Sequence, residues 1–219
     1  MQQSSLTLAN KSIRPLLPSL FILPVTFVAF YFLPQLLGKA TGYIASFILY
    51  WSICWGHGLY LKRGSVKSLY KWPVPNRLNI ILSGLCFIPV IGAFSAAYLL
   101  AYPYLNLTLY FILAVAALVN GVTEEFYWRG AFISRYKNDL QLAYIVPTLL
   151  FGLWHISVYV AHGVHYQGGF WPLVGGAFFM GMLWGYTAFR QQRILIVTLA
   201  HILANFFAFS NLLVDNWIK

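Results

Sequence analysis

Acidic side chains are almost absent from this chain, which has four Asp and Glu residues against 14 Lys and Arg in 219 residues. Charged residues of both signs make up only 8% of the sequence, whereas hydrophobic residues make up 60%. A soluble domain contains about 25% charged residues. The scarcity of charge therefore excludes an ordinary soluble domain and is typical of a polytopic membrane protein.

A continuous basic patch is also lacking, although the net charge is +10. The basic residues lie in short clusters between apolar runs, which is typical of the loops of membrane proteins and not of a groove for phosphates. We therefore expect no nucleic-acid partner. Cysteine is scarce too: Cys54 and Cys86 lie in separate apolar runs without a C-x-x-C pattern, and we predict that they are packing thiols.

Long apolar runs fill most of the chain. A run of about 20 residues spans the hydrocarbon core, and only helices and closed barrels satisfy their backbone hydrogen bonds there. We predict an all-α fold, a polytopic transmembrane helical bundle of about seven spans. The first run is too long for a signal-peptide core, so we expect it to be retained. The seven runs are 16–37, 41–61, 78–101, 107–134, 141–160, 170–189 and 194–214.

The basic clusters predict the orientation, because cytoplasmic loops carry an excess of Lys and Arg. With seven spans and a cytoplasmic N-terminus, all four clusters lie on the cytoplasmic side and only Lys39 and Lys219 lie outside. We expect a multi-pass protein of the cell (plasma or inner) membrane. The clusters are Lys11 and Arg14; Lys62, Arg63, Lys67, Lys71 and Arg77; Arg135 and Lys137; and Arg190 and Arg193.

Two of the four acidic residues, Glu124 and Glu125, are adjacent inside the fourth apolar run. A carboxylate at bilayer depth costs roughly 2.5–3.5 kcal/mol on insertion scales, so an intramembrane pair indicates a functional site. The apolar pattern continues to Arg135, which places Glu124 about 16 Å inside the membrane segment. Alternatively, the aromatic residues 126–128 form a belt at the membrane interface. We favour the buried interpretation.

Glu125 and Arg129 are four residues apart and share a helix face, so they can form an ion pair. Glu124 points about 100° away and has no partner in its own helix, which leaves it available as a general base. The alternative for each residue is a purely structural role in helix packing.

Two further spans carry polar groups. His155 lies deep in the fifth run, and by itself such a histidine is often only an interhelical contact. His201 and Asn205 are four apart on the last run, so they share a face, where they can either stabilise an oxyanion or bond to a neighbouring helix. No serine or cysteine stands in an obvious nucleophile context, so water is the expected attacker.

Three other features have simpler interpretations. His162 and His165 fall in the loop 161–169, and we predict solvated loop residues instead of a metal site. His57 is interpreted as a packing or interface residue. The small residues Ala177, Gly181 and Gly185 recur every four positions, which favours close helix packing.

The three polar motifs together resemble the CAAX protease and bacteriocin-processing (CPBP, or Abi) family of glutamic intramembrane proteases. That family carries E-E-x-x-x-R, F-x-x-x-H and H-x-x-x-N or H-x-x-x-D on successive membrane helices. This chain has all three in order. They are Glu124-Glu125-x-x-x-Arg129, Phe151-x-x-x-His155 and His201-x-x-x-Asn205.

The resemblance implies an intramembrane endopeptidase with a role for each matched residue. Glu124 would be the general base on a water that His155 helps to hold. His201 and Asn205 would form the oxyanion hole, and Glu125 with Arg129 would support the site. We expect a catalytic core at 107–214, preceded at 1–106 by three spans and the basic loop 62–77, in which we find no family signature.

Other functions remain open from the sequence. A non-enzymatic bacteriocin-immunity factor or scaffold would keep the polar cluster for packing, and a proton-coupled transporter would use it as a relay. We expect a membrane-associated peptide or protein substrate, but its identity is open: a prenylated CaaX protein, a bacteriocin or pheromone peptide, or a C-terminal sorting tail. We expect no cofactor and no metal. In the alternative with zinc, Glu124, His155 and His201 would be the ligands.

Overall fold

The computed structural model describes residues 14–219, so Lys11, one of the residues used to orient the chain, lies outside the described range. Within that range the protein is a bundle of helices without strands, which confirms the predicted fold class. In chain order the helices are α1 (Leu17–Leu37), α2 (Lys39–Leu61), α3 (Val66–Leu69), α4 (Arg77–Leu85), α5 (Ile88–Ala93), α6 (Leu99–Ala101), α7 (Leu107–Glu125), α8 (Phe132–Tyr136), α9 (Val146–Tyr159), α10 (Gly176–Gln191) and α11 (Leu195–Leu213).

Several of these helices join end to end into longer rods through π-helical turns. The turn Phe126–Ala131 connects α7 to α8, and Phe94–Tyr98 connects α5 to α6. Six rods are long and apolar enough to cross a membrane, and they coincide with six of the seven predicted spans. These rods are Leu17–Leu37, Lys39–Leu61, Arg77–Tyr104, Leu107–Tyr136, Gln141–Tyr159 and Leu195–Ile218.

The remaining predicted span, 170–189, is also helical but is not among those six. It consists of the π-helical turn Trp171–Gly175 followed by α10. This segment packs antiparallel to α9: Gly181 faces Thr148, whereas Gly152 of α9 faces the Phe178 ring. The predicted packing role of the stripe of small residues is confirmed, because these close approaches leave no room for larger side chains.

The fourth rod continues without a break past the two glutamates. It ends at Tyr136, and Phe126, Tyr127 and Trp128 are at most 1% exposed. The aromatic residues therefore lie in the protein core. The interfacial-belt alternative is wrong, because these side chains pack against other helices inside the bundle and do not face lipid.

A close approach of two backbones sets the position of the last helix against the fourth rod. A β-carbon at Gly121 would lie 2.8 Å from Ile202 Cγ1 and 3.1 Å from the Ile202 backbone nitrogen. Only glycine leaves room for α11 at this point. Because Gly121 lies nearly one turn before Glu124 and Ile202 follows His201, the contact places His201 beside the glutamates.

The remaining sequence interpretations concern packing. Cys54 and Cys86 are buried free thiols, as predicted. His57 bonds to the Tyr127 hydroxyl and the Pro15 carbonyl, both at 2.9 Å, so it is an interhelical packing residue. His162 and His165 are exposed in the loop, as expected.

Candidate active site

Glu124, Glu125 and Arg129 lie in the interior of the bundle, where they are 1%, 0% and 2% exposed. The π-helical turn Phe126–Ala131 begins directly after Glu125, so the helix widens between the glutamates and the arginine. Single π-helical turns within α-helices are frequent at functional sites.

Glu125 is the centre of a compact charged cluster. Its Oε1 lies 2.7 Å from His201 Nδ1 and 3.0 Å from Arg129 Nη1. The guanidinium group also stacks over the Phe151 ring, 4.1 Å from the ring centre. The predicted Glu125–Arg129 ion pair is therefore present, and His201 contributes a second contact to the same oxygen.

Glu124 has much weaker contacts. Its Oε2 lies 3.4 Å from His201 Nε2, and neither carboxylate oxygen has a hydrogen-bond partner in the protein. The Tyr50 side chain of α2 also lies close enough to interact with this carboxylate. His201 thus lies between the two glutamates. Its Nε2 and the Glu124 Oε2 attract each other only when one of these two atoms carries a hydrogen.

His155 is oriented by its own helix. Its Nδ1 lies 2.8 Å from the Phe151 carbonyl oxygen. A carbonyl only accepts, so Nδ1 carries the hydrogen and Nε2 of the neutral ring is a free acceptor. The centre of the Phe151 ring is 4.7 Å from that of His155 and 6.3 Å from that of His201, so both histidines lie beside one aromatic ring.

Asn205 lies one turn beyond His201 on α11. Its Nδ2 atom is buried and has no hydrogen-bond partner in the protein. The residue lines a cavity of about 560 Å³ between helices. Among the predicted residues, the structure therefore brings Glu124, Glu125, Arg129 and His201 into direct contact, with His155 and Asn205 on the flanks.

Unpaired polar atoms are concentrated at this site. Among residues 14–219, ten buried side-chain nitrogen and oxygen atoms lack a hydrogen-bond partner, and six of them belong to Glu124, Glu125, Arg129 and Asn205. One of the six, Arg129 Nη1, is in the ion pair with Glu125, which leaves five atoms without a close partner in the protein. Buried polar groups are nearly always paired, so each exception needs an explanation, of which a catalytic role is one. Such clustering is the strongest structural indication that these residues act on a ligand.

Residues of α2 that the sequence did not single out complete the surroundings of Glu124. Trp128 Nε1 donates to the Tyr50 hydroxyl at 2.7 Å. One signal was available: Asn120 and Thr123 precede Glu124 in an apolar helix and need polar partners. Trp51 donates to Asn120 at 2.9 Å and Trp55 donates to Thr123 at 3.0 Å.

The basic loop also reaches the site. Tyr70 follows α3, and burial together with the nearby Glu125 charge raises the pKa of its phenol to about 12. The phenol is therefore a neutral donor at ordinary pH. The loop is fixed to the bundle by the hydrogen bond from the Ile194 backbone N–H to the Leu69 carbonyl, 2.9 Å long.

The geometry does not fit the zinc alternative. In the part of the chain that the structure describes, no three His, Cys, Asp or Glu residues are grouped so that they could hold a metal ion. Both ring nitrogens of His201 already face carboxylates, and Nδ1 of His155 is occupied by the Phe151 carbonyl. Glu124, His155 and His201 therefore do not form a ligand set.

Comparison with known families finds a similarity over the second half of the chain. Residues 104–207 match the family model described as Rce1-like, type II CAAX prenyl endopeptidase. No curated protein and no solved structure matches the chain. The matched region contains all six predicted site residues, and its family is one of intramembrane peptide hydrolases. Over residues 104–207, just under half of its length, the chain is thus similar to the CAAX protease and CPBP family, in agreement with the resemblance of the motifs.

Proposed function

We propose that this protein is a glutamate-activated intramembrane endopeptidase that hydrolyses a peptide bond of a membrane-associated substrate. The observation that carries the proposal is the free carboxylate of Glu124, which is buried beside His201 without a hydrogen-bond partner in the protein. A general base needs an open oxygen within reach of its proton donor. At Glu125, by contrast, Oε1 is held by both Arg129 and His201.

The proposed reaction begins with a water molecule held between Glu124 and the free Nε2 of His155. The water oxygen attacks the carbonyl carbon while its proton passes to Glu124. The ring of His201, with a hydrogen on both nitrogens, donates from Nε2, and Asn205 donates from Nδ2, to the oxyanion of the tetrahedral intermediate. Collapse breaks the C–N bond, and the proton on Glu124 passes to the leaving amine, which regenerates the carboxylate.

Glu125 and Arg129 position this machinery in the proposal. Their ion pair fixes His201 through the 2.7 Å contact to Nδ1, so the other nitrogen, Nε2, faces the reaction centre. The oppositely charged partner also offsets the cost of a buried carboxylate. In the division that we propose, residues 107–214 carry the chemistry, and the helices of 1–106 add Tyr50 and its neighbours to the site.

The substrate class is tested by comparing membrane peptides from a deletion strain and its parent. We expect an uncleaved membrane-associated precursor to accumulate in the deletion strain and the purified protein to cleave it. An unchanged peptide profile, together with a folded protein that cleaves no prenylated, bacteriocin-like or sorting-tail peptide, would favour a scaffold or immunity protein.

The proposed reaction uses no metal, because water is activated by a carboxylate. Cleavage should therefore persist in strong chelators. Loss of activity on chelation that is restored by zinc would show that the proposed base is instead a metal ligand.

We also propose that the N-terminus is cytoplasmic and the C-terminus lies outside, because this places the clusters of basic residues in the cytoplasm. Reporter fusions after Lys71 and after Gly169 should then report opposite sides of the membrane. The same side for both fusions would rule out this topology.

A further inference from the structure

The loop between the second and third rods carries two large apolar side chains that lie outside the membrane-crossing helices. Trp72 is 69% exposed and Val74 is 71% exposed, so most of each side chain is free of contact with the bundle. Lys71 and Arg77, on either side of them in the sequence, are exposed as well. Residues 71–77, which we call the 71–77 segment, thus present apolar surface between two positive charges.

Hydrogen bonds hold the end of this segment at the first turn of the third rod, Arg77–Tyr104. Asn79 Nδ2 donates to the Val74 carbonyl at 2.8 Å, and the Asn76 side chain accepts from the Asn79 backbone N–H at 2.9 Å. The third rod has the smallest buried share of the six, and Ile80 in its first turn is 65% exposed. Because an exposed apolar helix faces lipid, Val74 lies where a lipid-facing helix leaves the hydrocarbon core.

The residues before the segment are fixed to the interior of the bundle. The Ile194 backbone N–H donates to the Leu69 carbonyl at 2.9 Å. The Leu69 side chain is buried and packs so closely over Gly130 that a β-carbon there would lie 3.1 Å from Leu69 Cδ1. Since the chain is held at Leu69 and again at Val74, the exposed side chains between these points have a defined place at the end of the bundle.

The two positive charges of the segment are not neutralised by the protein. All salt bridges within residues 14–219 have Arg129, His201 or Lys219 as the basic partner, so Lys71 and Arg77 have no carboxylate partner in that range. Lys and Arg at a membrane surface are attracted to anionic lipids, and Trp is enriched at the level of the headgroups. An acidic protein would pair with the cations but would leave the apolar side chains uncovered, whereas a lipid surface covers both.

We propose that the 71–77 segment is a binding surface for the anionic headgroups of membrane phospholipids. Trp72 and Val74 enter the boundary between headgroups and acyl chains, and Lys71 and Arg77 contact the phosphate oxygens on either side. The inference goes beyond the proposed function and does not depend on it, because none of the candidate catalytic residues takes part in this surface.

The test measures which lipid surrounds residue 74. A fluorophore is attached to the Val74→Cys variant of the full-length protein, and the unchanged protein is the blank, because Cys54 and Cys86 are 0% exposed. The host vesicles are phosphatidylcholine with roughly one part in five of a quencher lipid, which carries a nitroxide near the headgroup end of its acyl chain. The quencher lipid is either anionic phosphatidylglycerol or zwitterionic phosphatidylcholine.

We expect both lipids to quench the fluorophore, with phosphatidylglycerol enriched about fivefold over phosphatidylcholine beside it, since one basic residue at an anionic surface contributes a factor of about five. Adding Lys71→Gln and Arg77→Gln together should abolish this preference. Adding Lys71→Arg and Arg77→Lys keeps the charges and should preserve it. Lys137→Gln is the matched control, because Lys137 is an exposed cation at the same end of the bundle, and the preference should remain.

Three results would overturn the proposal. Without quenching by either lipid, the segment lies in water or against another protein. Equal quenching by the two lipids in Val74→Cys means that the segment touches the bilayer without selecting anionic headgroups. A preference that persists when Lys71 and Arg77 are both Gln means that other residues attract the lipid. Unchanged quenching by phosphatidylcholine in the Gln variant shows that the protein is still folded and inserted.

Discussion

The two sides of the site around His201 differ sharply, although their glutamates are adjacent in the sequence. On one side, Glu125 Oε1 lies within 3.0 Å of both Arg129 and His201, and the arginine is covered by Phe151. On the other side, the Glu124 carboxylate lies 3.4 Å from His201 and neither of its oxygens has a hydrogen-bond partner in the protein. We call these the paired side and the open side.

The difference shows how a membrane protein can keep two carboxylates in its interior for two purposes. A buried charge with a close partner is tolerated because the partner offsets its desolvation, and removing the partner is strongly destabilising. A buried carboxylate without a close partner remains free to accept a proton. We therefore expect changes on the paired side to reduce stability and changes on the open side to reduce the rate.

The largest effect should come from breaking the paired side. Arg129→Ala leaves Glu125 buried without its ion pair, so we expect a loss of about 3–5 kcal/mol of folding free energy and little accumulated protein. Accumulation in membranes and thermal unfolding measure this. Arg190→Ala, at an exposed position, is the control and should accumulate normally. Normal stability of Arg129→Ala would contradict a structural role for the pair.

The open side should respond in the opposite way. Asn205→Ala removes a donor that has no partner in the protein, so we expect nearly unchanged stability. The loss of one oxyanion donor lowers kcat by about 10²–10³. Single-turnover cleavage and thermal unfolding of the same preparation give both quantities. A strongly destabilised Asn205→Ala protein with normal kcat would show that the amide is a packing group.

A smaller effect is expected at the border of the open side. Tyr50→Phe leaves the buried Trp128 Nε1 without its acceptor, which costs about 1–3 kcal/mol. Adding Trp128→Phe removes the unpaired donor, so the double variant should regain part of that stability. Thermal unfolding of the single and double variants measures the coupling. Additive losses would mean that the two side chains do not depend on each other.

The sequence allowed the fold to be predicted because apolar runs and helices correspond closely in a bilayer. Six predicted spans were found within a few residues, and the contact between Glu125 and Arg129 followed from their spacing of four. The span 170–189 is the weakest of the seven predictions, because α10 is rich in glycine and the segment is not among the six long apolar helices.

Contacts between segments that are far apart in the chain could not be predicted from the sequence. Nothing in the local sequence of α2 shows that Tyr50 lies beside Glu124, since that proximity depends on how helices 70 residues apart pack. The same holds for the contact of His201 with both glutamates. The motif likewise contains no signal for the π-helical turn that follows Glu125.

The central claim is that Glu124 performs chemistry while Glu125 maintains structure. It is tested most directly by the cleavage rate of Glu124→Gln, which keeps the volume and polarity of the side chain and removes the base, measured per folded molecule in liposomes. A general base contributes about 10²–10⁴-fold, so we predict a loss of that size with thermal unfolding close to wild type. Full activity of Glu124→Gln, with a rate loss of that size found instead in folded Glu125→Gln, would contradict the account.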